Sequence, residues 1–112
     1  MIRRSSPPGL PSAPTDLVAV AVGRYQVLLA WDEGAGGPFG VRVERAAGND
    51  PCRRFLDIGG VAPHVTAFRD GSKKPRAAYF YRVHAWNASG DSSSSNVAEV
   101  TLPQAGKDLL PD

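Results

Sequence analysis

Cysteine is nearly missing from this chain. Cys52 stands alone, so no intrachain disulfide can form and an apolar core must hold the fold. Cysteine usage therefore gives no redox compartment. No apolar run approaches the roughly 20 residues of a membrane-crossing helix. The basic start Met1-Ile2-Arg3-Arg4 leads into a proline and serine segment, not into the apolar stretch of a signal peptide. Charge of one sign is scarce too. A net charge of +2 is too small to argue for nucleic acid or a membrane surface as partner. Histidine is limited to His64 and His84, and neither has a second His, Cys or carboxylate at ligand spacing, so neither metal nor cofactor is expected. Helical periodicity does not extend beyond a turn or two, and no internal repeat is visible.

Catalytic patterns are equally thin. Gly34, Gly36 and Gly37 lack the Gly-x-x-x-x-Gly-Lys-Ser/Thr order of a phosphate loop, and no helix pattern comes after them. Nothing beside Asp32 and Glu33 would split their pKa values into acid and base. His84, Asp91 and a serine from Ser92 to Ser95 can be drawn as a triad. The turn that carries Asp91 and the serines is solvated, and a triad needs three groups converging in space. No residue is assigned a catalytic role.

What the chain does have is alternation. Its 112 residues, 42% hydrophobic, suit one small domain. Residues 17–22 read as a first strand with Leu17 and Ala19 inward and Val18 and Val20 outward at a sheet edge. Such an edge invites pairing, with a neighbouring module or the Pro-rich segment as cover. Residues 26–31 place Val27, Leu29 and Trp31 on one face. Residues 39–45 turn Val41 and Val43 in and Arg42 and Glu44 out. Shorter strands are predicted over 55–58, ended by Gly59-Gly60, and over 65–69, with Asp70-Gly71 as a turn. A last strand over 97–102 turns Ala98, Val100 and Leu102 inward.

The most informative stretch is 79–96. Aromatic and β-branched residues fit a half-buried pleated surface. Tyr79, Tyr81, Val83 and Ala85 share the core face, and Phe80, Arg82, His84 and Trp86 share the other. Asn87-Ala88-Ser89-Gly90-Asp91 is a turn, and the serines lead on to Asn96.

This run resembles the end of a fibronectin type III domain. There a Tyr-x-(aromatic or Val)-Arg-Val-x-Ala-x-Asn strand leads to a Gly-x-Ser-x-x-Ser-Asn turn. Tyr79, Tyr81, Arg82, Val83, Ala85, Asn87, Gly90, Ser92, Ser95 and Asn96 match it. Residues 11–17, Pro-Ser-Ala-Pro-Thr-Asp-Leu, resemble the family's opening, and the resemblance spans roughly residues 11–103. It implies an all-β, immunoglobulin-like, two-sheet sandwich of seven strands, with Trp31 in the core and Tyr79 as the tyrosine corner. The domain then covers residues 13–103, between a Pro/Ser-rich linker at 1–12 and a polar tail at 104–112. The sequence departs from the family at Lys73, where a leucine usually tucks under the corner. Lys73→Leu is expected to be stabilising by about 1 kcal/mol.

Val41-Arg42-Val43-Glu44-Arg45 resembles the Phe-x-Ile-Glu-Arg of type III modules attached to bacterial polysaccharide-degrading enzymes. That resemblance implies a non-catalytic, monomeric, extracellular or cell-surface module whose partners are neighbouring domains, a protein or a polysaccharide. The candidate interaction face is Arg42, Glu44, Phe80, Arg82, His84 and Trp86, side by side if their strands pair. Arginine beside aromatics suits a partner or a sugar ring, and equally an arginine–aromatic stack that only supports the sheet. Two readings also stay open for Cys52, a bystander thiol or a reactive one beside Arg53 and Arg54. Asn87-Ala88-Ser89 is either a glycosylation acceptor or a turn. Arg69-Asp70-Gly71 is not the integrin-binding tripeptide.

Overall fold

The computed structural model describes residues 9–71 and 77–103, and among them it contains only strands and turns. β1 (Thr15–Val22), β2 (Gln26–Asp32) and β5 (Ala67–Asp70) form a three-stranded antiparallel sheet in the order β1-β2-β5. The second sheet runs β4 (Leu56–Val61), β3 (Gly40–Ala47), β6 (Ala78–Asn87), with β7 (Gly90–Asp91) and β8 (Ala98–Thr101) both pairing β6. The inner faces meet over Leu17, Val27, Leu29, Trp31, Val41, Val43, Tyr81, Val83, Ala85, Ala98 and Leu102, all buried. The period-two pattern of the sequence thus becomes a sandwich core.

The last strand is split. Between β7 and β8 the ladder against β6 is carried by serine side chains. Ser92 N–H donates to the Ala85 carbonyl at 2.8 Å, and its Oγ accepts the Ala85 N–H at 2.9 Å. Ser95 repeats the arrangement on Val83, at 2.8 and 3.0 Å. A hydroxyl that accepts where a carbonyl normally would lets the chain kink without orphaning β6 donors. This is why eight strands replace the expected seven and why positions 92 and 95 are serine.

Gly59-Gly60 does not end the fourth strand, which continues to Val61. The pairing with β3 shifts register between Val43 and Glu44, as a bulge does. Gly59 has φ 151°, and a Cβ there would stand 3.2 Å from the Phe68 ring. The fifth strand runs from Ala67 to Asp70, so Asp70 is a strand residue and not part of the expected turn. Lys73 and the rest of 72–76 lie outside the described residues, as do 1–8 and 104–112.

Gly9 to Ser12, within the segment assigned to the linker, lie against the end of the sandwich. Ser12 N–H donates to the Ala35 carbonyl at 2.8 Å, and Asn87 Nδ2 donates to the Gly9 carbonyl. Asn87 Oδ1 also accepts the Ser89 N–H at 2.8 Å. Its amide therefore joins the turn, through Oδ1, to the entering segment, through Nδ2.

Candidate interaction face

β3 and β6 pair in a register that sets Gly40 opposite Trp86, Arg42 opposite His84, Glu44 opposite Arg82 and Ala46 opposite Phe80. The six residues named from sequence therefore occupy one outer face. Their condition differs from that of an open platform. Arg42 makes a bidentate pair with Asp57 of β4, at 2.9 and 2.8 Å. The Arg42 hydrogen bonds hold the Asp57 carboxyl below the usual carboxylate range. Glu44 accepts from Arg82 Nε at 2.5 Å, while the Arg82 guanidinium lies 4.1 Å from the Phe55 ring centroid. His84 stands 3.9 Å from Asp91, with a side chain only 15% exposed.

Phe80 needs a correction. Its side chain points outward but is 8% exposed, because the Arg53 guanidinium lies 3.8 Å from its ring centroid. Arg53 is set there by the loop after β3. Asp50 Oδ1 accepts the Cys52 N–H and Oδ2 the Arg54 N–H, at 3.0 and 3.1 Å, and Arg53 takes φ 49°. The two amide donors, Arg54 first, keep the Asp50 carboxyl below its ordinary range. Cys52 is exposed on this loop. Trp86 is half-buried with its ring edge-on to Phe39, centroids 5.8 Å apart. Phe39, not singled out in the sequence, is 54% exposed and is the more accessible aromatic of the pair.

A buried polar cluster, not expected from the sequence, ties the two sheets together. Tyr81 is fully buried, and its hydroxyl donates to Asp70 Oδ2 at 2.6 Å. Arg45 Nη1 donates to both Asp70 oxygens at 3.1 and 2.9 Å. Burial, reinforced by the Asp70 carboxylate, pushes the Tyr81 hydroxyl far above its ordinary pKa. Arg45 also stacks on Tyr79, 5.6 Å from its centroid. Beside them lies an open hollow of about 360 Å³ lined by Arg45, Ala47, Asp50, Arg54, Leu56 and Tyr79. Its arginines already have carboxylate partners, Asp70 and Asp50.

The remaining sequence candidates do not converge. His64 Nδ1 meets Glu33 at 2.8 Å on an exposed loop. Ser92 Oγ is engaged with the Ala85 N–H and the Ser93 carbonyl. Among the described residues no three His, Cys, Asp or Glu side chains come together.

No protein-family model matches the chain, and no curated protein sequence does. Solved structures do. A solution structure of the third fibronectin III domain of human KIAA0343 protein superimposes with TM-score 0.72 at 16% identity, covering 99% of this chain and 98% of that one. The FN5 domain of Drosophila Lar gives 0.68 at 19%, covering 85% and 99%. A crystal structure of domains from titin gives 0.74 at 24%, covering 85% of this chain and 33% of that one.

The chain has the fibronectin type III fold.

This chain spans a third of the titin structure and nearly all of the single-domain ones. Within the fibronectin type III fold, Trp31 takes its core position at 5% exposure, its indole N–H buried without an acceptor among the described residues. Tyr79, expected from the resemblance to be the corner residue, is half-buried and tilted against Tyr81, ring centroids 6.4 Å apart. The segment before the strand that a corner hydroxyl reaches back to falls in 72–76, outside the described residues.

Proposed function

We propose that this chain is a non-catalytic module that spaces, orients or joins neighbouring domains of a longer polypeptide. The observation that carries the reading is the placement of its ends. Leu10 lies beside Gly90 and Gly9 beside Ser89, just past the last residue of β6. Leu102 N–H donates to the Ala77 carbonyl, just before the first residue of β6. β6 is ten residues long, about 33 Å at ~3.3 Å per residue. The chain enters at one end of the sandwich and leaves at the other, so the module can hold two flanking domains at a set distance from each other. The similarity of residues 41–45 to modules of bacterial polysaccharide-degrading enzymes supports an extracellular or cell-surface parent of that kind.

The test places the chain between two fluorescent proteins and reads energy transfer against denaturant. A single transfer efficiency that holds until the domain unfolds supports a spacer. An efficiency that drifts before unfolding, as with a flexible linker of the same length, overturns it.

A second reading is favoured by one observation, the exposed Phe39 beside Trp86. Such a pair offers a face to a sugar ring. Pull-down on insoluble chitin, cellulose and xylan decides it. Retention that is lost in folded Trp86→Ala and Phe39→Ala variants makes this a carbohydrate-binding module.

A further inference from the structure

β1 is the open edge of the three-stranded sheet, and from Val18 to Val22 it pairs β2 without a bulge. Natural edge strands are blunted by brevity, charge, proline or bulges. The opposite edge of the same sheet is blunted in that way, since β5 is four residues long and carries Arg69 and Asp70. β1 is protected only at its start. A register shift precedes Val18, and the Asn96 amide clamps Leu17, accepting its N–H at 2.9 Å and donating to its carbonyl at 3.0 Å. Beyond that point the strand reads Val-Ala-Val-Ala-Val, with no charge before Arg24. Val18, Val20 and Val22 are 53%, 55% and 38% exposed. Among the described residues, the proline-containing segment does not cover this edge. Pro11 and Ser12 lie instead against Gly36 and Ala35 of the β2–β3 loop.

We propose that β1 is a homotypic pairing edge, docking antiparallel on β1 of a second copy about a two-fold axis at Val20. The register is set by the charges at the two ends. Asp16 is exposed at the irregular start of the strand and Arg24 comes after its end, and neither has an ion-pair partner among the described residues. An axis through Val20 brings Asp16 toward Arg24 of the second copy, twice over. It sets Val20 against Val20 and Val18 against Val22, so the exposed valines form one row across the seam. By the period-two alternation that turns the Leu17 amide outward to Asn96, Ala19 and Ala21 turn theirs to the same edge. Ala19 then exchanges hydrogen bonds with Ala21 of the second copy. The Asn96 clamp and the turn at Gly23 end the ladder at both limits. A shift of two residues would keep the valines but separate the charges, so Asp16 and Arg24 specify the register. The two three-stranded sheets become one of six strands.

Sedimentation equilibrium of the full 112-residue chain and its variants tests this, with denaturant unfolding as the check that each variant folds. The wild type is expected to be a reversible dimer. Val20→Lys, which sets two ammonium groups across the axis, is expected to raise the dissociation constant about tenfold or more. Arg24→Asp is expected to raise it about two- to fivefold, and adding Asp16→Lys to Arg24→Asp to restore it. A wild type that stays monomeric at its solubility limit overturns the proposal and leaves the edge to a strand of another protein. A dimer untouched by Val20→Lys, or one weakened further by the charge swap, also overturns it.

Discussion

The two outer faces of this sandwich are finished differently. On the larger sheet, Arg42 pairs with Asp57, Arg82 with Glu44, and arginines lie over Phe55 and Phe80. On the smaller sheet, Val18, Val20 and Val22 stand exposed beside Leu28 and Ala30, with charge only at the margins, where Arg69 bonds Gln26. Large aromatics and charges on a strand suggest a binding surface, yet here they satisfy one another. Small aliphatic residues suggest plain structure, yet here they are what solvent meets. Satisfied pairs leave little to offer a partner, whereas uncovered apolar area gains by association.

The largest expected break in this picture is at the cluster that joins the sheets behind both faces. Asp70→Ala leaves Arg45 and the buried Tyr81 hydroxyl without their shared carboxylate. A loss of about 3–5 kcal/mol is expected, as for one partner removed from a buried ion pair, read as a fall in the denaturant midpoint.

A smaller effect appears at alkaline pH. The Tyr81 pKa is raised in the folded protein, so the folded state keeps a proton that the unfolded chain releases. Its contribution is full below the ordinary tyrosine value of about 10 and falls as pH rises beyond it, by up to about 1.4 kcal/mol per pH unit. Unfolding of Tyr81→Phe between pH 8 and 11 should show a shallower loss than wild type. Equal slopes would mean that Tyr81 does not carry the alkaline limb.

Smallest is the surface pair on the larger sheet. Asp57 is depressed in the folded protein, so it stabilises above the ordinary carboxylate range and the benefit is lost as pH falls through the folded value. Arg42 and Asp57 are close to half exposed, which limits the effect to a few tenths of a kcal/mol. Arg42→Met should flatten the acid limb of stability below about pH 4 by that amount.

Period-two alternation makes most strands and the core legible in the sequence, because inward and outward residues differ in kind at Val27, Leu29, Trp31, Val41 and Val43. It also places the six face residues together. It does not tell a covered aromatic from an open one. The cover on Phe80 comes from Arg53, on a loop 27 positions away in sequence, and alternation within a strand says nothing of what a loop brings. Asp70 reads as a turn residue because Asp-Gly signals a turn. Its partners, Arg45 and Tyr81, lie on two other strands. The serines read as a turn alone, because a side chain standing in for a backbone acceptor leaves no periodic mark. The Gly59-Gly60 pair reads as a stop, although the bulge and the nearby Phe68 ring require glycine inside the strand.

The contrast between the faces is tested most directly by one pair of unfolding curves in dilute solution, Phe80→Ala beside Val20→Ser. Both side chains point outward, on opposite sheets. The expected result is a loss of about 3 kcal/mol for Phe80→Ala, as for a buried phenylalanine, and a change within about 0.5 kcal/mol for Val20→Ser. Equal midpoints for the two variants, with Phe80→Ala near wild type, would contradict the contrast and return Phe80 to the surface as an available aromatic.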